Sequence, residues 1–106
     1  MNGDNHPISE RFRLVALEWV ELDGAARLLE ESKSAYMSQM MLELSEMPVS
    51  RAELNVKASE HWRVYVEKMV HARTAANEKK IEVEFLKMRF AEWNSNEANT
   101  RLERKL

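Results

Sequence analysis

The residues best suited to chemistry lie in the last twenty positions of this 106-residue chain. This segment contains five cations but only three acidic residues, Glu92, Glu97 and Glu103, and aromatic side chains lie among the cations. Cations neutralise phosphates, and an aromatic ring between them offers a surface on which an unpaired base can stack. The segment therefore suggests a single-stranded DNA site made of the following residues: Lys87, Arg89, Trp93, Arg101, Arg104 and Lys105.

A structural explanation of the same residues competes with this one. Phe90 and Trp93 also fit the apolar seam of a helix, where an aromatic ring more often packs in a core than binds a ligand. Charge is unevenly divided as well, with 5 Lys+Arg against 10 Asp+Glu in residues 1–56 and 11 against 8 in residues 57–106. If the two halves face each other, ion pairs between them account for part of the basic excess.

The arrangements that usually support catalysis are missing from the sequence. With no cysteine and only two glycines, the chain excludes thiol chemistry, cysteine-bound metals and a glycine-rich phosphate loop. His61 and His71 are ten positions apart, which is not the i,i+4 spacing of a helical metal pair. The sequence thus predicts a protein that is not an enzyme and has no cofactor and no metal site.

No apolar run approaches the roughly 20 residues that a membrane-spanning helix needs, and no signal peptide opens the sequence. We therefore expect a soluble, cytoplasmic protein without a membrane partner.

Two apolar seams with alternating steps of three and four residues predict two long helices. The first seam predicts a helix over about 9–46, interrupted by Lys33, and the second a helix over about 60–93 with Lys79 near its middle. Their members are Phe12, Val15, Trp19, Leu22, Ala26, Leu29, Tyr36, Met40, Leu44 and Met47, then Tyr65, Met69, Ala72, Ala76, Val83, Leu86, Phe90 and Trp93.

The segment between the seams reads as a tight corner. Pro48 ends the first helix, and Ser50 with Glu53 has the spacing of a capping box that would start a short helix over about 51–58. Ser59 is a second candidate cap. Residues 1–8 read as a flexible leader, and the Asn94-Ser95-Asn96 cluster predicts a break before a polar, basic tail over 94–106.

These elements predict an all-α fold, a long antiparallel helical hairpin of coiled-coil type with a short helix at the corner. Several large apolar residues, among them Leu14, Leu17 and Leu28, lie off the seams. A two-helix hairpin gives each helix one neighbour, so the surplus favours self-association into an oligomeric bundle. The alternative is a monomeric three-helix bundle in which the corner helix and tail cover that surface.

Several segments of the second half resemble a known group of proteins. They are Val49–Glu53, Ala58–Trp62, Ala72–Asn77, Leu86–Ser95 and Arg101–Leu106. Together they resemble small helical proteins of tailed phages and prophages and, more loosely, recombination mediators of the UvsY type. The latter likeness lies in the long basic and aromatic helix with Lys87, Arg89, Phe90 and Trp93, whereas the acidic overall charge departs from it.

The resemblance implies a non-enzymatic, oligomeric accessory protein of phage DNA recombination or replication that acts in the host cytoplasm. Its partners would be single-stranded DNA or another phage recombination or replication protein. One alternative is a structural or assembly coiled-coil module that binds only its own copies or another phage protein. A third class is a host-regulating decoy or inhibitor.

Overall fold

The computed structural model describes residues 7–105, all of them helical apart from short turns. Four helices follow one another: α1 (Ile8–Glu31), α2 (Lys33–Leu42), α3 (Val49–Lys57) and α4 (Glu60–Lys105). The all-α helical hairpin with a short corner helix is thus confirmed. Of the predicted leader, residues 1–6 lie outside the described part, and Ile8 is already helical.

The first long helix is divided at Ser32, where one helix over about 9–46 was expected. The division is slight, because Ser32 keeps a helical backbone and the amide of Tyr36 still donates to the carbonyl of Ser32 over 2.9 Å. Lys33 then begins α2, and its Nζ lies 5.9 Å from the ring centroid of Trp62. A cation over an indole ring explains why a lysine is tolerated on this seam.

Helix α2 ends at Leu42, four residues before the predicted end. The amides of Glu43 and Leu44 donate to carbonyls three residues back, so the chain tightens into single turns before Pro48. Because the residue before a proline is driven out of the helical region, the helix could not run on through Met47 and Pro48.

The predicted capping box at Ser50 does not form. Helix α3 begins at Val49, directly after Pro48, so Ser50 already lies in its first turn. Glu53 forms an ion pair with Lys57 at 2.9 Å instead. The second predicted cap is confirmed: Ser59 Oγ accepts a hydrogen bond from the amide of Trp62 at 3.2 Å and starts α4.

Helix α4 continues to Lys105, so the predicted break at Asn94-Ser95-Asn96 is wrong. Residues 94–105 of the predicted polar, basic tail form the last turns of this helix. The polar side chains do not compete with the helix here; Thr100 Oγ1 donates back to the carbonyl of Asn96 at 2.9 Å within it. Every residue from 91 to 105 is exposed. Water therefore solvates these polar side chains, and the backbone hydrogen bonds of the helix remain intact.

The helices form two compact units, one of residues 22–76 and one that pairs residues 7–21 with 77–105. The core of the first unit is an aromatic stack. The rings of Tyr36, Trp62 and Tyr65 form a triangle, with centroids 4.4 Å apart for Tyr36 and Tyr65 and 6.0 and 5.9 Å from these two to Trp62, which is buried. Tyr65 also donates its hydroxyl to the carbonyl of Leu29 at 2.5 Å. The stack thereby joins α1, α2 and α4.

Arg73 of α4 binds two carboxylates of α1 in the same unit. Its guanidinium donates to Asp23 Oδ1 and to both carboxylate oxygens of Glu30, each at 2.8 Å. The hydrogen bonds from Arg73 hold the pKa of Glu30 below its ordinary value, and those to Glu30 and Asp23 raise the pKa of Arg73. A planar guanidinium suits this bidentate contact, which fixes the register between α1 and α4.

The second unit packs the start of α1 against the later part of α4. Val15 and Leu86 are buried between the helices. Lys79, the lysine on the second seam, reaches Glu18 at 3.6 Å and Glu82 at 3.2 Å, and its hydrogen bond with Glu82 raises its pKa. Its ion pairs explain the polar position in this seam.

Gly24 lies inside α1, and a methyl group placed on it would meet nothing within 4 Å. Glycine costs about 1 kcal/mol relative to alanine in the interior of a helix. We therefore expect Gly24→Ala to raise the free energy of unfolding by roughly that amount, measured by urea denaturation followed by circular dichroism. A loss of stability would mean that another surface packs closely on this position.

Within residues 7–105, no helix is long and apolar enough to cross a membrane.

Candidate nucleic-acid interface

A groove of about 510 Å³ opens where the start of α1 meets the later part of α4. Pro7, Ile8, Ser9 and Arg11 form the α1 side. The α4 side is formed by Phe85, Leu86, Arg89, Phe90 and Trp93. The groove therefore combines three aromatic rings with two arginines, and the seam of the hairpin forms its floor at buried Leu86.

The aromatic rings of the groove are accessible. Trp93 and Phe85 are 52% and 53% exposed, so neither ring is a core residue. Trp93 stacks on the half-buried Phe90 with ring centroids 6.4 Å apart, and the guanidinium of Arg89 stands 5.8 Å from the centroid of Phe85. Half-exposed indole and phenyl faces beside a guanidinium are the groups that hold an unpaired base by stacking.

The positive charges of the groove arginines are not neutralised by ion pairs within the described residues. Among the described residues, neither Arg11 nor Arg89 forms an ion pair, and the same holds for Lys87, Arg101, Arg104 and Lys105. Pairing across the hairpin, the competing explanation of the basic excess, involves Arg73 and Lys79. It therefore accounts for the middle of α4, whereas the cations of the later part have no carboxylate partner within residues 7–105.

The six residues predicted from the sequence do not form a single cluster. Arg89 and Trp93 lie in the groove, and Arg104 follows Trp93 by eleven residues, three helical turns or about 16 Å further along the same side of α4. Lys87 and Lys105, five turns apart, share a different side of the helix, and Arg101 lies between the two sides.

Lys87 borders a smaller pocket of about 290 Å³ with Ser9, Phe12 and Phe90. Phe90 lines both cavities, so Lys87 lies across this ring from the groove. The exposed turns that carry Arg101, Arg104 and Lys105 extend along α4 beyond the groove. A strand held in the groove could reach these cations only by following the helix.

Among the groove residues absent from the predicted set, Arg11 and Phe85 are the two whose side chains could contact DNA by charge or by stacking. Arg11 lies near the other end of the sequence, and only the antiparallel register brings it beside Arg89. Phe85 was missed because it lies off the second seam. A ring at such a position, four residues before Arg89, is a signal that the sequence does contain.

Among residues 7–105, no group of three or more histidine and carboxylate side chains is placed to hold a metal ion. No protein-family model, curated protein or solved structure matches the chain.

Proposed function

We propose that this protein binds single-stranded DNA in the groove between α1 and α4, as a non-enzymatic accessory protein of phage-type DNA recombination or replication. The observation that carries the DNA contact is the convergence of Arg11 and Arg89 with the accessible rings of Phe85 and Trp93. The recombination or replication setting rests on the sequence resemblance alone.

The arrangement favours a single strand over a duplex. Paired bases are stacked on each other and their faces are covered, whereas Trp93 and Phe85 offer faces to bases that are splayed out. Arg11 and Arg89 belong to different helices and both line the groove, so both would be available to neutralise phosphates of a strand whose base stacks there. Arg104, on the Trp93 side of α4, extends this contact along the strand.

Fluorescence anisotropy with a labelled oligothymidine tests the proposal. Affinity should fall as salt rises, with a log–log slope of roughly −0.7 for each phosphate neutralised. Arg11→Glu with Arg89→Glu should lower the affinity by about tenfold or more for each arginine, because hydrogen bonds to charged groups contribute about 1.5–3 kcal/mol.

The matched control is Arg51→Glu with Lys68→Glu, which changes the net charge equally at exposed cations of the other unit. This pair should weaken binding far less. Arg101→Glu with Arg104→Glu measures the contribution of the last turns of α4. The groove is the wrong site if wild-type protein has no affinity at low salt, or if the groove pair retains affinity with its helical circular dichroism intact.

The assembly-module function has a separate observation in its favour. Large apolar side chains are exposed on both helices of the second unit, with Leu17 at 51% and Ile81 at 69%. If DNA binding is absent while self-association is present, the assembly function replaces the DNA function.

A further inference from the structure

Helix α4 carries a second apolar stripe that the described residues leave more than half exposed. Ile81, Phe85 and Met88 recur at steps of four and three residues, so they share one face of the helix. They are 69%, 53% and 63% exposed, whereas Leu86, on the face toward α1, is 3% exposed. A large apolar face of this kind marks a contact surface.

We infer that a second copy of this chain covers the stripe, with the two α4 helices parallel and in register. This register stacks Ile81, Phe85 and Met88 on their own counterparts in three apolar layers. An antiparallel pairing would keep only two contacts between apolar residues. Depending on its register, it would place either Ile81 against Glu92 of the other copy or Met88 against Glu78 of the other copy. The parallel arrangement therefore buries more apolar surface.

Charge complementarity supports the same register. Glu84 and Arg89 flank the stripe on opposite sides and are five residues apart, the spacing at which flanking residues of two parallel helices pair. The dimer would contain two such contacts, each between Glu84 of one copy and Arg89 of the other. Further along, the stripe passes Ser95 and Asn99, and an asparagine inside such a seam favours defined parallel pairing.

Glu78 and Glu92 limit the strength of this dimer. Glu78 occupies the layer before Ile81 and Glu92 the layer after Met88, so the two copies would bring like charges together at both. Three apolar layers also bury less surface area than a standard stable interface, which buries about 800 Å² on each partner. We therefore expect a reversible dimer whose mass depends on concentration, and Glu92→Leu should tighten it by roughly tenfold or more.

Phe85 and Arg89 line the DNA groove as well, so a dimer formed through the stripe would cover part of that groove and compete with DNA. Sedimentation equilibrium without DNA therefore tests the interface separately from DNA binding. Wild-type protein should move from a 12.5 kDa monomer toward twice that mass as concentration rises. Ile81→Glu with Met88→Glu should leave a helical monomer. Glu84→Arg should weaken association, and adding Arg89→Glu should restore it by exchanging the two charges.

Disulfide formation tests the register, because the chain has no cysteine of its own. Ser95→Cys places a thiol on the stripe and should give a covalent dimer on mild oxidation, whereas Thr100→Cys, off the stripe, should not. Equal yields at both positions would overturn the parallel register. A 12.5 kDa mass for both wild type and Glu92→Leu at high concentration would overturn the interface itself.

Discussion

Replacing Trp62 with alanine is expected to destabilise the protein by about 3–5 kcal/mol, the usual cost of truncating a large buried aromatic residue. Trp62 is 8% exposed and belongs to the stack with Tyr36 and Tyr65 that joins three helices. Small domains have a total stability of only about 5–15 kcal/mol, so a large part of the native stability is at stake. Urea denaturation followed by circular dichroism measures the loss.

Two further variants separate the causes of this loss. Trp62→Phe keeps a ring in the stack and should recover part of the stability. Lys33→Ala removes only the ammonium group over the indole and should cost no more than about 1 kcal/mol. An unfolding midpoint for Trp62→Ala equal to that of wild type would show that the stack does not hold the unit together.

The long helices were predictable because their pattern repeats over many turns. Steps of three and four residues recur through Val15 and Ala26 in α1 and through Ala76 and Leu86 in α4, and all four residues are buried. A period sustained over this length identifies a helix even when one position is polar. The lysine on each seam fits once its partner is known, Trp62 for Lys33 and the carboxylates for Lys79.

The ends of the elements were less predictable because they depend on a few local hydrogen bonds. Ser50 with Glu53 has the spacing of a capping box, but Pro48 starts the helix earlier and removes the need for it. Asn94-Ser95-Asn96 has the composition of a break, yet each side chain is exposed and the helix continues through it. Propensities of isolated residues are weak against a helix that is already formed on either side.

The candidate site was only half predictable for a topological reason. Its α4 half is local in sequence, and Arg89 and Trp93 were found from composition. Its α1 half depends on register: Arg11 reaches the groove because α1 runs antiparallel to α4. A register of this kind is set by contacts such as Glu18 with Lys79, which a charge count does not locate.

Replacing Trp93 with alanine is expected to lower the affinity for single-stranded DNA by about 1–3 kcal/mol, since that is the contribution of one base stacked on an aromatic side chain. Trp93 is 52% exposed and packs mainly on Phe90, so its loss should leave the helices intact. Anisotropy with a labelled oligothymidine measures the affinity, and circular dichroism confirms the fold. The matched control is Leu102→Ala, an exposed apolar residue of α4 outside the groove.

Trp93→Phe distinguishes stacking from a merely structural role of this side chain. A phenyl ring still offers a face to a base, so the variant should retain most of the affinity, while the quenching of tryptophan fluorescence on binding should largely disappear. Trp62 is buried and does not line the groove, so it should not respond directly to the bound strand. If Trp93→Ala binds as tightly as wild type, bases do not stack on Trp93, and the DNA proposal is left with stacking on Phe85 and phosphate contact by the arginines.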